Sequence, residues 1–166
     1  MMAFPLSHGT NPVTEKKKIS TAFLIELNGK FTIYFGDTGP DYIENVDYIS
    51  KIWDFIAPLI ANKTLNTIMI ECSFPDSQPD NMLFGHLNPK WLLNELHGLQ
   101  SKVSNYSVDN LFPLSDLSVV VTHIKPSNII YSMPDTSSQT IKQQLKDGND
   151  MKISFVFPVQ GMLLRF

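Results

Sequence analysis

Three of the four histidines share one local context, in which an apolar stretch is followed by a small residue and then by the imidazole. The segments are Phe4-Pro-Leu-Ser-His8, Met82-Leu-Phe-Gly-His86 and Val119-Val-Val-Thr-His123. A carboxylate, Asp37, also follows an apolar run. Neutral imidazole and carboxylate are the ligand types expected for zinc or manganese in a hydrolytic centre. Because these residues are too far apart in sequence for a local zinc finger, any such site must be assembled by the fold.

Each of these residues also has a purely structural interpretation. A single histidine near a strand end is more often a hydrogen-bonded structural residue than a metal ligand. Asp37 lies in a Gly-Asp-Thr-Gly run that suits a turn. Glu71 could equally be a solvated strand end and Cys72 a small core residue. His97 fits the structural interpretation best, because it falls in the middle of a predicted helix with no partner at ligand spacing.

The elements that position these residues alternate between strand and helix patterns, which predicts an α/β layered domain. Two β-rich runs, 21–27 and 30–35, flank Asn28-Gly29, a dipeptide that favours a type I′ hairpin turn. Apolar residues at three- and four-residue steps predict a helix over 44–60, and Asn88-Pro89 marks the start of another that extends to 103. Further strands are predicted at 67–72, 117–121, 152–157 and 162–166, and a short helix at 138–146.

Three of the candidates follow predicted strands. Asp37 comes after the hairpin, His123 after a β-branched run, and Glu71 at the end of the strand between them. In α/β sheets, ligands gather outside the strand ends. The imidazoles of His8, His86 and His123 are therefore expected to converge on one site with Asp37.

Composition excludes several classes of protein. The 166 residues are 43% hydrophobic and carry a formal charge of -3, which argues against disorder and against a nucleic-acid partner. No apolar run approaches the roughly 20 residues that a membrane-spanning helix needs. The single cysteine excludes an internal disulfide framework and any Cys-based zinc cluster. We therefore expect a cytoplasmic protein with no membrane or nucleic-acid partner.

Taken in order, these motifs resemble the class II 3′,5′-cyclic nucleotide phosphodiesterases, a branch of the metallo-β-lactamase superfamily. The resemblance rests on the segments around His8, Asp37, His86 and His123, on Ile70-Glu-Cys-Ser-Phe-Pro75, and on the ending Val156-Phe-Pro-Val-Gln-Gly-Met162. It implies a hydrolase that converts cyclic AMP or GMP to the 5′-monophosphate at a dinuclear metal centre. The metal would be zinc, with manganese or iron as alternatives.

The resemblance also implies a role for each candidate residue. His8 would be a ligand of the first metal, Asp37 the carboxylate that bridges both metals, and His123 a ligand of the second. His86 would lie on the phosphate side, where it donates a proton to the leaving oxygen or stabilises the transition state. Glu71 would orient its neighbours.

One signature of that family, His-x-His-x-Asp-His, does not occur in this sequence. Without it, each metal has only two protein ligands, where three or four are expected. The chain therefore resembles the C-terminal half of a metallo-β-lactamase-like αββα sandwich, with residues 1–166 forming a single partial metallo-hydrolase domain whose N-terminal half is absent. We expect an inactive isolated chain with an exposed apolar face, which favours a homo-oligomer or association with the missing half.

Two other functions remain open. A non-catalytic remnant of the same fold would serve as a binding or regulatory module, and cyclic-nucleotide binding without turnover would favour it. An RNA-processing phosphodiesterase of the metallo-β-lactamase type would have similar Gly-His and Thr-His motifs. The acidic balance of the chain counts against that second alternative.

Overall fold

In the computed structural model, which describes residues 1–11, 13–107, 110–126 and 136–164, six strands form one mixed sheet in chain order. The strands are β1 (Met2–Thr10), β2 (Lys17–Leu27), β3 (Lys30–Phe35), β4 (Leu65–Glu71), β5 (Ser118–Thr122) and β6 (Ser154–Val156). The helices are α1 (Asp41–Glu44), α2 (Tyr48–Ala61), α3 (Pro89–Ser104) and α4 (Ser137–Asp147), with a 3-10 turn at Asp80–Met82. The predicted α/β class is confirmed.

The sheet changes from antiparallel to parallel pairing at β3. Strands β1, β2 and β3 pair antiparallel, whereas β3, β4, β5 and β6 pair parallel. The antiparallel β2–β3 hairpin turns at Asn28 and Gly29, with φ angles of 52° and 75°. Positive φ at both positions is what a type I′ turn requires, so the predicted hairpin is confirmed.

The helices cover one face of the sheet and bury the core there. Alternate strand residues such as Ala22, Leu24, Ile33 and Phe35 join the apolar stripes of α2 and α3 in one buried cluster. Asn88 caps α3, because its side chain accepts a hydrogen bond from the backbone N–H of Trp91. The predicted helices and buried strands are therefore present, with bounds that differ from the predicted ones by a few residues.

The opposite face of the sheet is apolar and partly open. Ile19, Ile25 and Tyr34 lie on it and are 60%, 45% and 42% exposed. These residues alternate with the core-facing ones along β2 and β3, as strand geometry requires. The exposed apolar face agrees with the prediction. No helix among the described residues is long and apolar enough to cross a membrane.

Two sequence predictions about the ends of the chain differ from the structure. Residues 2–10 were not predicted as a strand, yet they form β1, which pairs with β2 over most of its length. Residues 162–164 were predicted as a strand, yet they are irregular, and the Met162 N–H donates to the Val159 carbonyl in a turn. Residues 165 and 166 of that prediction lie outside the described residues. Strand formation depends on a neighbouring edge, which a short apolar run does not reveal.

Candidate functional site

The candidate site lies at the carboxyl edge of the parallel strands. Asp37 follows β3, Glu71 ends β4 and His123 follows β5. His8 reaches the same edge because two successive antiparallel pairings make β1 run in the direction of β3. His86 comes from the loop before α3. The structure therefore brings all five predicted site residues together.

Two imidazoles flank one carboxylate oxygen. The Nε2 atoms of His8 and His123 lie 3.9 and 3.4 Å from Oδ2 of Asp37, and all three side chains are partly exposed. The Nδ1 of His8 is 3.0 Å from the carbonyl oxygen of Gly85. A carbonyl can only accept, so in the neutral imidazole Nδ1 carries the proton and Nε2 presents its lone pair toward Asp37. Two imidazole nitrogens beside a carboxylate are a donor set that suits zinc.

His86 lies beside this group but both its nitrogens already have partners. Its Nδ1 is 2.7 Å from Oε1 of Glu71, and its Nε2 is 2.7 Å from Nζ of Lys125. Because the carboxylate accepts and the ammonium donates, a neutral imidazole here is protonated on Nδ1 and accepts at Nε2. His8, Asp37 and His86 are close enough to hold an ion together. We nevertheless favour His123 as the ligand, because its Nε2 already faces Asp37.

Glu71 contacts three segments of the site: the one that follows β3, the one that follows β4, and the loop that carries His86. Its carboxylate is almost fully buried and accepts hydrogen bonds from the backbone N–H of Thr38, the hydroxyl of Ser73 and the imidazole of His86. The Thr38 bond is 2.8 Å long and lies directly beside Asp37. Buried carboxylates are stable only when such donors replace water. The predicted orienting role of Glu71 is therefore consistent with its contacts.

A second buried carboxylate, Glu44, holds the segment that carries His8. It accepts from the Ser7 hydroxyl at 2.7 Å and from the Gly9 N–H at 3.1 Å. These two residues flank His8 on either side. With Nδ1 of His8 bound to the Gly85 carbonyl, the imidazole is restrained through its own ring and through its neighbours.

The loop that carries His86 approaches β1 without side chains between the two backbones. A Cβ added at Gly85, whose φ is +83°, would lie 2.2 Å from the Gly9 nitrogen. Two other residues of the site, Phe84 and His123, have φ angles of 53° and 54°. Non-glycine residues in this conformation are strained, and such strain is common at functional sites. Gly85 is therefore the residue that permits the loop to contact β1.

Glu95 of α3 is a buried carboxyl group whose pKa is raised by its surroundings. Its Oε1 accepts from the Asp41 N–H at 3.0 Å. Burial raises the pKa of Glu95 to about 7, and the nearby Asp41 carboxylate adds to this effect, while the hydrogen bond opposes it. Burial also raises the pKa of Asp41.

This shift predicts a pH dependence of stability. Because the folded-state pKa of about 7 exceeds the ordinary value of 4.5, the folded protein binds the proton more tightly than the unfolded chain. The stability that Glu95 contributes is full below about pH 4.5 and is lost as the pH rises to 7, by on the order of 3 kcal/mol. Urea unfolding of Glu95→Gln from pH 4 to 8 should show a flatter curve than the wild type.

The matched control is Glu26→Gln, on an exposed carboxylate of β2. It should keep the wild-type dependence of stability on pH. Identical pH curves for Glu95→Gln and the wild type would contradict the predicted shift of Glu95.

Three further side chains of the site, those of Ser73, Glu44 and Lys125, were not predicted from the sequence. The Ser73 hydroxyl lies within hydrogen-bond distance of Glu71 and of the His123 carbonyl oxygen and can donate to either one. Glu44 holds the His8 segment, and Lys125 contacts His86. Lys125 and Ser73 had a signal in the sequence, because each follows a predicted site residue, His123 or Glu71, by two positions. His97 lies apart from the site, with Nε2 2.9 Å from Oδ1 of Asp150 at the protein surface.

Comparisons with known proteins agree on one family. The family described as cAMP phosphodiesterases class-II matches residues 1–161. The chain is 38% identical to the "Probable 3′,5′-cyclic-nucleotide phosphodiesterase" of Yersinia pestis, over 98% of this chain and 43% of that protein. It is 37% identical to the 3′,5′-cyclic-nucleotide phosphodiesterase of Aliivibrio fischeri, over 100% and 46% of the two chains.

The fold agrees with the sequence comparisons. A crystal structure of unliganded yeast PDE1 superposes with a TM-score of 0.80 at 27% identity, over 96% of this chain and 44% of that one. The chain therefore spans less than half the length of these relatives.

Proposed function

Because the chain belongs to the class II cyclic AMP phosphodiesterase family, we propose that it supplies part of an active site that hydrolyses a 3′,5′-cyclic nucleotide to the 5′-monophosphate. The single observation that carries the proposal is the Asp37 carboxylate oxygen between the Nε2 atoms of His8 and His123. Cyclic AMP and cyclic GMP are both candidate substrates. The relatives are named for cyclic nucleotides, and the acidic balance of this chain is unsuited to RNA.

We propose zinc as the cofactor, with manganese or iron as alternatives. The donor set fits, since His8 and His123 would each contribute one nitrogen and Asp37 could contribute an oxygen to each of two ions. When bound, the ions would activate water and stabilise the negative charge of the transition state. The ligands from this chain number two for each ion, so further ligands must come from elsewhere.

The remaining residues of the site would act on the phosphate side. His86 is fixed by Glu71 on one nitrogen, and its other nitrogen faces Lys125. Glu71 thereby sets the orientation of the imidazole, and its hydrogen bond to the Thr38 N–H holds the backbone beside Asp37. The P–O3′ bond of the cyclic nucleotide would break at this edge, where the polar groups of three strand ends meet.

We further propose that residues 1–166 act as one partial metallo-hydrolase domain and need an N-terminal half with the His-x-His-x-Asp-His motif. The open apolar face and the coverage of under half of each relative support this. A homo-oligomer is the alternative way to cover that face. We also propose that the protein is cytoplasmic, and its single cysteine, the buried Cys72, supports this.

Zinc content and cyclic AMP hydrolysis should be measured together on the purified chain, with and without a co-expressed N-terminal half. We expect turnover only with the partner. In that complex, Asp37→Ala and His123→Ala should each lower turnover by about 100-fold or more and reduce bound zinc, because loss of an outer-shell group alone costs about 10- to 100-fold.

The matched control is His97→Ala, since His97 is a surface histidine that lies away from the site. It should keep both zinc and turnover. If His97→Ala and His123→Ala behaved alike, the ligand assignment would be wrong. Tight binding of cyclic AMP without turnover in the complex would instead favour a non-catalytic binding module.

A further inference from the structure

We propose that Lys125 is the residue of this chain that binds the phosphate of the nucleotide, with its ammonium group held in place by His86. The proposal deepens the phosphodiesterase function proposed above and rests on it. It assigns a positive group to a site whose other side chains are imidazoles and carboxylates.

The backbone of Lys125 is fastened to the same strand end as the candidate ligands. Its N–H donates to the Ser73 carbonyl oxygen at 3.0 Å. The Ser73 hydroxyl, whose one proton serves either Glu71 or His123, lies 2.9 Å from the His123 carbonyl oxygen. Residues 123 and 125 therefore both contact the segment that follows β4. The lysine side chain therefore starts from a defined position beside the site.

The ammonium group itself has only neutral neighbours in the part of the chain described. Nζ lies 2.7 Å from Nε2 of His86 and 4.8 Å from the centre of the Phe74 ring. Among the described residues, no carboxylate oxygen lies within the 4.0 Å of Nζ that an ion pair would need. The His86 nitrogen and the Phe74 ring therefore contact the ammonium group without neutralising its charge.

His86 acts as a fixed acceptor for this ammonium. Because Glu71 accepts a hydrogen bond from the Nδ1–H of the neutral imidazole, the lone pair of Nε2 is aimed at Lys125. The His86 ring lies 4.7 Å from the His8 ring and 5.4 Å from the His123 ring, centre to centre. The ammonium group of Lys125 therefore lies beside the predicted metal ligands His8 and His123.

An ammonium in this position has donors left for a ligand. Lysine carries three N–H donors, and His86 uses one of them. A phosphate oxygen accepts such donors strongly, because both partners are charged. The cyclic substrate carries one negative charge, whereas the transition state and the 5′-monophosphate carry more. Lys125 should therefore favour the product and the transition state over the substrate.

The test compares 5′-AMP and cyclic AMP binding to the zinc-supplemented 166-residue chain by calorimetry. Lys125→Gln should weaken 5′-AMP binding by about tenfold or more, and cyclic AMP binding by less, since hydrogen bonds between charged groups are worth about 1.5–3 kcal/mol. Lys125→Arg should restore most of the affinity. The control is Lys142→Gln, because Lys142 is an exposed lysine of α4 whose ammonium group likewise lies near an aromatic ring, that of Phe157.

Each outcome decides the proposal. Selective weakening of 5′-AMP binding by Lys125→Gln, with an unchanged thermal midpoint, supports it. No binding of 5′-AMP to the wild type, or equal affinity for the wild type and Lys125→Gln, overturns it. If affinity depends on Lys125 but the reconstituted complex fails to hydrolyse cyclic AMP, only the proposed function fails. If hydrolysis depends on His123 but Lys125→Gln leaves the affinity for 5′-AMP unchanged, only this inference fails.

Discussion

Replacement of Glu71 by alanine is expected to lower the free energy of unfolding by about 2–6 kcal/mol, because two buried donors lose their acceptor and each such loss costs about 1–3 kcal/mol. The carboxylate is 1% exposed and accepts from Thr38, Ser73 and His86. Alanine would leave the Thr38 N–H and the His86 ring N–H buried without this acceptor, whereas the Ser73 hydroxyl can still donate to the His123 carbonyl oxygen. Urea unfolding at neutral pH measures the loss directly.

The matched control is Glu26→Ala. Glu26 is an exposed carboxylate on β2 that accepts one backbone N–H, from Gly29. Its removal should change the free energy of unfolding by no more than about 0.5 kcal/mol, as is usual for surface substitutions. A comparably small effect of Glu71→Ala would mean that Glu71 is not the buried acceptor that joins β4 to the site.

Gly85→Ala should also destabilise the protein, by roughly 3 kcal/mol, and should weaken zinc binding. A left-handed backbone costs an alanine about 1–2 kcal/mol. The new Cβ would in addition lie 2.2 Å from the Gly9 nitrogen and 2.3 Å from the His8 carbonyl carbon, so one of the two backbones must move. That movement breaks the hydrogen bond that orients the His8 ring. Urea unfolding and zinc titration of the same variant measure both effects.

Gly29→Ala separates the two causes. Gly29 has a φ of +75°, but no heavy atom lies within 4 Å of a Cβ added there. The variant should therefore show only the conformational cost, about 1–2 kcal/mol, and should bind zinc like the wild type. Equal destabilisation in both glycine variants, with zinc binding intact in both, would contradict a role for the close approach of Gly85 to β1.

The class of fold and the family could both be recognised from local patterns in the sequence. The Asn28-Gly29 turn, the apolar stripes of α2 and α3, and the β-branched core of β5 are local patterns, so they could be recognised without knowledge of their neighbours. The predicted resemblance to class II cyclic nucleotide phosphodiesterases is confirmed by the match over residues 1–161. The candidate residues His8, Asp37, His86 and His123 could be named because their types and their places after apolar runs are properties of the chain alone.

The contacts that those residues make could be seen only in the tertiary structure. Residues 2–10 form a strand because they pair with β2, whereas residues 162–164 pair with no strand among the described residues and are irregular. The partners of His86, namely Glu71 and Lys125, lie 15 and 39 positions away in sequence. Contacts over such distances depend on how strands are ordered in the sheet and on backbone approaches such as that of Gly85. The spacing of residues along the chain does not encode these, because a hydrogen bond requires a position and a direction as well as a residue type.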